Sequence, residues 1–180
     1  MNISDLIIDE EFESVIPPLT DEEFELLKES ALNDGEVYHP LVVWNNIIVD
    51  GHHRYKILKE HPEIKYRINK REFENRYEAI SWICLNQLGR RNLNDAQKKM
   101  LIGRRYKAEK QAYGDFSRCN SSPRCQNGTL EASSHPTATK IAKEMNVSPR
   151  TVARAENYVD GIDAAEAVLP GVSNPYFVWC

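Results

Sequence analysis

Apolar and polar positions repeat with a period that changes several times along the chain, and each change marks an element. Thr20, with Glu23 three residues on, is a capping-box pattern that predicts a helix to about Asn33, with Phe24, Leu27 and Ala31 on one face. Asp34-Gly35 stops it. Leu41 to Trp44 and Ile47 to Val49 are β-rich runs separated by Asn45-Asn46, and because asparagine accepts the left-handed conformation of a two-residue turn, they predict a hairpin. Asp50-Gly51 ends the second strand. His52 to Glu60 has helical spacing, with Tyr55 and Leu58 on one side and Pro62 beyond its end, and Ile64 to Ile68 alternates as a half-buried strand does. From Glu74 the period is helical to near Gly89, through Tyr77, Ile80, Trp82, Ile83 and Leu85. Another helix is expected from Asn94 to Tyr113, with Met100, Leu101 and Tyr106 inward. Ahead of all this, Met1 to Glu13 reads as a short acidic arm.

The last third of the chain has a different texture. Residues 114–136 are rich in Ser, Asn, Gly, Pro and Cys with almost no apolar period, which predicts a linker or long loop. A compact helical pattern occupies 137–169, and 170–180 form a tail. The expected fold class is α+β, a small mixed α/β domain over 1–113 followed by an all-helical module. With 180 residues and 41% hydrophobic side chains, one compact domain plus an appendage is the natural division. No apolar run reaches the roughly 18 residues of a membrane span, and the acidic start lacks the order of a signal peptide, so a cytoplasmic protein with no membrane partner is expected.

Charge sharpens this picture. The net charge is only -4, yet residues 1–38 carry 12 acidic and 1 basic side chain, whereas residues 90–156 carry 14 basic and 6 acidic. Such segregation suits an acidic half joined to a nucleic-acid-binding half. Cys84, Cys119, Cys125 and Cys180 are too scattered to staple a fold and read as reduced thiols. Cys119 and Cys125, with His135 nearby, lack the spacing of a zinc site, so no metal site is assigned.

Residues 139–158 read TKIAKEMNVSPRTVARAENY. Ile141, Ala142 and Met145 give a first helix its inner face, Asn146 suits a turn with positive φ, and Val147 plugs the gap between helices. Ser148 is a natural N-cap, Pro149 suits the first helical position, and Val152 with Ala155 or Ala153 faces inward. The pattern resembles a helix-turn-helix. That resemblance implies DNA contact by Arg150, Thr151 and Arg154 on the outward face of the second helix. Lys98, Lys99, Arg104, Arg105 and Lys107 are expected to add phosphate contacts.

A second informative stretch runs from His39-Pro40 to Asp50-Gly51-His52-His53-Arg54-Tyr55. A strand that ends in Asp-Gly and opens into a helix offers a dipole end to an anion. Gly51 permits close approach, and His52, His53 and Arg54 add donors, while Asp50 is a carboxylate suited to a bridging divalent cation. With the later segment Asn86-Gln87-Leu88-Gly89-Arg90-Arg91-Asn92-Leu93, residues 15–113 resemble the ParB/sulfiredoxin superfamily, in which a helix-turn-helix commonly follows.

The resemblance implies a ParB-like DNA-binding protein acting in partition, replication or transcription on a plasmid, phage or other mobile element. It implies binding of CTP or another nucleotide with Mg2+ at Gly51, His52, His53, Arg54, Asn86, Arg90 and Arg91. Partners are then DNA, a nucleotide and a second copy in a homodimer. Asp95 and Gln97 stand where partition proteins usually carry Glu, and no cysteine lies between Gly51 and Arg54, which removes sulfiredoxin chemistry. One branch of the superfamily phosphorylates free serine. The enzyme alternative is such a nucleotide-dependent kinase, or a nuclease or nucleotide hydrolase, with Glu36 and Asp50 as its carboxylates.

Overall fold

The computed structural model describes residues 2–90, 93–112 and 136–169, and the chain divides into two compact units, 1–74 and 75–180. In the first unit the order is α1 (Glu10–Val15), α2 (Asp21–Asp34), β1 (Leu41–Trp44), β2 (Ile47–Asp50), α3 (His52–Glu60) and β3 (Ile68–Lys70). The second holds α4 (Arg76–Leu88), α5 (Asp95–Ala112), α6 (Pro136–Met145) and α7 (Pro149–Val168).

The hairpin forms where expected. Asn45 and Asn46 both take positive φ, 48° and 66°, the geometry of a turn whose twist matches that of the paired strands. β1 lies between its neighbours in the order β2-β1-β3, antiparallel to β2 and parallel to β3. Its central place explains why Leu41, Val42 and Val43 are all buried rather than alternating. Leu41 and Val43 share a core with Ile48, Tyr55, Ile57, Leu58 and Ile64. α2 begins on the expected reciprocal cap, with Thr20 and Glu23 each bonded to the other's backbone N-H, and Gly35 ends it at φ 66°.

Two expectations are corrected here. The strand read over 64–68 is displaced to Ile68–Lys70, because Ile64 points into the core and Lys65 makes only an isolated bridge to Glu36. The acidic arm is an integral layer. Asp9 caps α1 by accepting from the N-H groups of Glu11 and Phe12, and Leu6, Phe12, Val15 and Ile16 are buried. Tyr55 donates its hydroxyl to the Leu6 carbonyl at 3.1 Å, and Ile48 N-H reaches the Ile7 carbonyl at 2.9 Å.

In the second unit Asn75 caps α4, and Asn94 and Gln97 cap α5 reciprocally. α6 and α7 are joined by a tight turn in which Asn146 sits at φ 53° and Val147 N-H returns to the Ala142 carbonyl at 2.9 Å. Ser148 then caps α7 through Thr151 N-H, with Pro149 in the first turn. Ile102 and Tyr106 of α5, Ala138, Ile141 and Ala142 of α6, and Val152 and Ala155 of α7 form one core. Ala155 is the inward alanine; Ala153 is exposed.

α5 and α7 cross closely at Gly103. A Cβ there would lie 2.2 Å from the Ala155 carbonyl oxygen and 2.6 Å from Val159 Cγ2. Flanking the crossing, Lys107 bridges Asp160 and Asp163, Lys110 bridges Glu156, and Lys99 lies over the Tyr158 ring. α6 is tied to α5 by a buried charge cluster. Arg105 and Glu109, each 3% exposed, pair with one another, and Arg105 reaches Glu144 while Lys140 and Ser81 reach Glu109.

Candidate functional site

The turn from β2 into α3 is built around Gly51, whose φ of 100° is open to glycine and strained for other residues. The missing side chain is filled from two directions. A Cβ at this position would meet Leu41 Cδ2 at 2.7 Å, Arg54 Nη2 at 3.0 Å and Arg54 Nε at 3.2 Å. Where α1, α2, α4 and α7 each begin on an Asp, Thr, Asn or Ser that accepts from the first turn, Gly51 brings no such oxygen to α3.

Arg54 therefore folds back across the start of its own helix, and three oxygens hold it there. Nη2 donates to Asp50 Oδ2 at 2.7 Å, and Nη1 donates to the carbonyls of His39 at 2.8 Å and Pro40 at 3.2 Å. The pair is largely buried, with side-chain exposures of 13% for Arg54 and 12% for Asp50. Asp50 thus serves as an ion-pair partner. The i,i+4 spacing of Asp50 and Arg54 was the signal for it, and a reading of the two as separate ligands overlooked that signal.

The two histidines divide their roles. His52 is 1% exposed, and among the described residues neither of its ring nitrogens has a hydrogen-bond partner. Burial pushes its pKa down to about 4, against the pull of Glu13 and Asp50, so the ring is neutral at pH 7. His53 is half-buried, with its ring edge against Phe24 at 6.4 Å between centroids. Lys56, one turn on, bridges Glu13 of α1 at 2.7 Å, which holds the Glu13 carboxyl below its usual range.

Of the remaining assigned residues, Asn86 and Arg90 belong to the second unit, exposed at the end of α4 and just beyond it. Arg91, Cys119, Cys125 and Cys180 lie outside the described residues. Glu36 is exposed beside its bridge to Lys65. Cys84 is fully buried, and its thiol is pushed up to about 12 by that burial, so it is inert as a nucleophile.

On α7, Arg150, Thr151 and Arg154 are all exposed. Thr151 shares its hydroxyl with the Ser148 cap at 2.9 Å. Among the described residues neither Arg150 nor Arg154 has an ion-pair partner. The cations of α5 are otherwise disposed. Arg105 is buried, and Lys107 is spanned by two aspartates, so the expectation that these two contact phosphate is corrected. Helical periodicity places charged residues on a face without saying which faces another helix.

No protein-family model matches the chain, and no curated protein matches it. Solved structures do. A Pnob8-like ParB-N domain is similar over 95% of this chain and 72% of its own length, with 18% identity and a TM-score of 0.65. The C-terminally truncated chromosome-partitioning protein ParB from Caulobacter crescentus, complexed with CTP-gamma-S, matches over 96% of this chain and 87% of its own, with 16% identity and a TM-score of 0.41. Among the described residues no helix is long and apolar enough to cross a membrane. A small three-stranded sheet followed by a helical module, matched at this level by the first of these structures, is the ParB-N fold.

Proposed function

We propose that this chain is a ParB-like DNA-binding protein of partition type, in which α7 enters the major groove and the start of α3 holds the phosphates of a nucleotide. The observation that carries the DNA reading is the contrast between cations. Arg105, Lys107, Lys110 and Lys140 are bridged to carboxylates, whereas Arg150 and Arg154 project from the first turns of α7 without one among the described residues. Two guanidiniums at i and i+4 behind a capped, rigid turn are suited to phosphates and to guanine edges. Thr151 lies between them. The acidic side chains of α7, Glu156, Asp160, Asp163 and Glu166, all come later, which favours entry by its N-terminal half.

The nucleotide reading rests on Gly51, Arg54 and the uncharged buried His52, together with the ParB-N fold. CTP with Mg2+ is the first candidate. The protein works as a homodimer on paired half-sites in the cytoplasm, serving a plasmid, phage or other mobile element. The nucleotide-binding part lies within 1–113 and the DNA-binding module spans 137–169. The test is fluorescence anisotropy on duplex DNA with R150E/R154E at fixed salt. Affinity falls at least 100-fold if α7 is the contact, since each reversal costs on the order of 1.4 kcal/mol or more. Wild-type affinity in the double variant would overturn the proposal.

A further inference from the structure

Resting on the reading of α7 as the DNA-contacting helix, we infer that Asn157 is a specificity-determining residue, whose side-chain amide takes the major-groove edge of an adenine. The inward side of α7 is fixed by Val152, Ala155 and Val159, all buried. Because each helical residue advances by about 100°, the direction opposite to those three passes within about 30° of Arg150, Asn157 and Gly161. Arg154 and Ala153 lie about 50° to either side of it. All five are exposed. Asn157 is therefore central on the outward face, and the seven residues from Arg150 span about 10 Å of axis, or about three base steps.

The surroundings of Asn157 suit close approach by a polyanion. The acids between Arg150 and Gly161 are drawn to α5, Glu156 by Lys110 and Asp160 by Lys107, each at 2.9 Å. Asparagine is a poor residue for a helix interior and glycine a poorer one. A Cβ at Gly161 would meet nothing within 4 Å, so packing does not account for that glycine, and one turn beyond Asn157 it leaves no side chain to hold off a groove wall. The chemistry then selects the base. The guanidiniums of Arg150 and Arg154 only donate, which matches guanine N7 and O6 or a phosphate, whereas a carboxamide both donates to adenine N7 and accepts from its N6 amino group.

The experiment is selection from a pool of randomised duplexes, with sequencing of the bound fraction, by the full chain as wild type, N157A and N157R. The wild type should enrich a motif in which adenine at one position is preferred at least about 5-fold over the other bases. N157A should flatten that position to within about 2-fold, while the rest of the motif and the affinity for the unselected pool stay within about 2-fold of wild type. N157R should turn the preference at the same position from adenine to guanine, an exchange that a residue with a merely structural role would not produce. A motif unchanged in N157A, or a flattened position that is not an A·T pair, overturns the inference and leaves α7 as the DNA-contacting helix. A wild-type protein that binds duplexes without enriching any motif does the same. A wild-type protein that binds no duplex overturns both.

Discussion

Gly103→Ala adds one methyl group where α5 crosses α7, and the structure fixes the sign of its effect. The new Cβ would stand 2.2 Å from the Ala155 carbonyl oxygen and 2.7 Å from its carbon. Ordinary contact needs a separation about 1 Å larger. The atoms struck are backbone in the middle of a helix, so no side-chain rotation relieves the overlap. Alanine in a helix gains about 1 kcal/mol over glycine. Against it stands overpacking of about 1–3 kcal/mol, increased by the loosening of Val152 and Ala155 against Ile102 and Tyr106. The crossing also aligns Lys107 and Lys110 with their carboxylates on α7, so the separated helices lose that alignment. We expect a net loss of about 1–2 kcal/mol, read as a lower urea midpoint with unchanged slope. Gly161→Ala, on α7 with nothing within 4 Å of its Cβ, is the matched control and should gain about 0.5–1 kcal/mol. Equal or greater stability in Gly103→Ala would refute the crossing.

Further outcomes follow from the buried charges. His52 has a folded pKa of about 4 against an unfolded value of 6.5, so the unfolded chain takes up its proton first. Stability is unaffected above pH 6.5 and falls as the pH drops from 6.5 towards 4, by up to about 3 kcal/mol from this ring. Urea midpoints measured across that window should lose this dependence in His52→Leu, and an unchanged profile would place the acid sensitivity elsewhere. Glu109→Ala leaves Arg105 buried beside no inner carboxylate and should cost about 3–5 kcal/mol in denaturant unfolding. Arg105→Met combined with Glu109→Leu should cost less than Glu109→Ala alone, because it removes both charges.

Local chemistry explains what was legible beforehand. The Asn45-Asn46 turn, the Thr20 and Glu23 cap and the run from Asn146 through Pro149 each specify a backbone conformation within a few residues, and all three formed as read. The small α+β architecture was legible for the same reason, since period and caps mark the elements. α1 was not, because its apolar residues Phe12, Val15 and Ile16 are few and set among acids, although Asp9 three residues before Phe12 was a readable cap. Partners distant in sequence were hidden altogether. Nothing local distinguishes Lys107, held by α7, from Arg154, which has no such carboxylate among the described residues. A glycine in mid-helix costs about 1 kcal/mol, so Gly103 carried a signal of close approach without naming its neighbour. At the candidate site the glycine, the histidines and the arginine were singled out by type, while the clasp of Arg54 by Asp50 and two carbonyls emerged only with the fold.

The most direct measurement of the central claim is the salt dependence of duplex DNA binding by wild type and by Arg150→Ala/Arg154→Ala. If both guanidiniums displace counterions from phosphates, the slope of log affinity against log salt should be shallower by about 2 in the double variant. Parallel lines for the two proteins would contradict α7 as the DNA-contacting element.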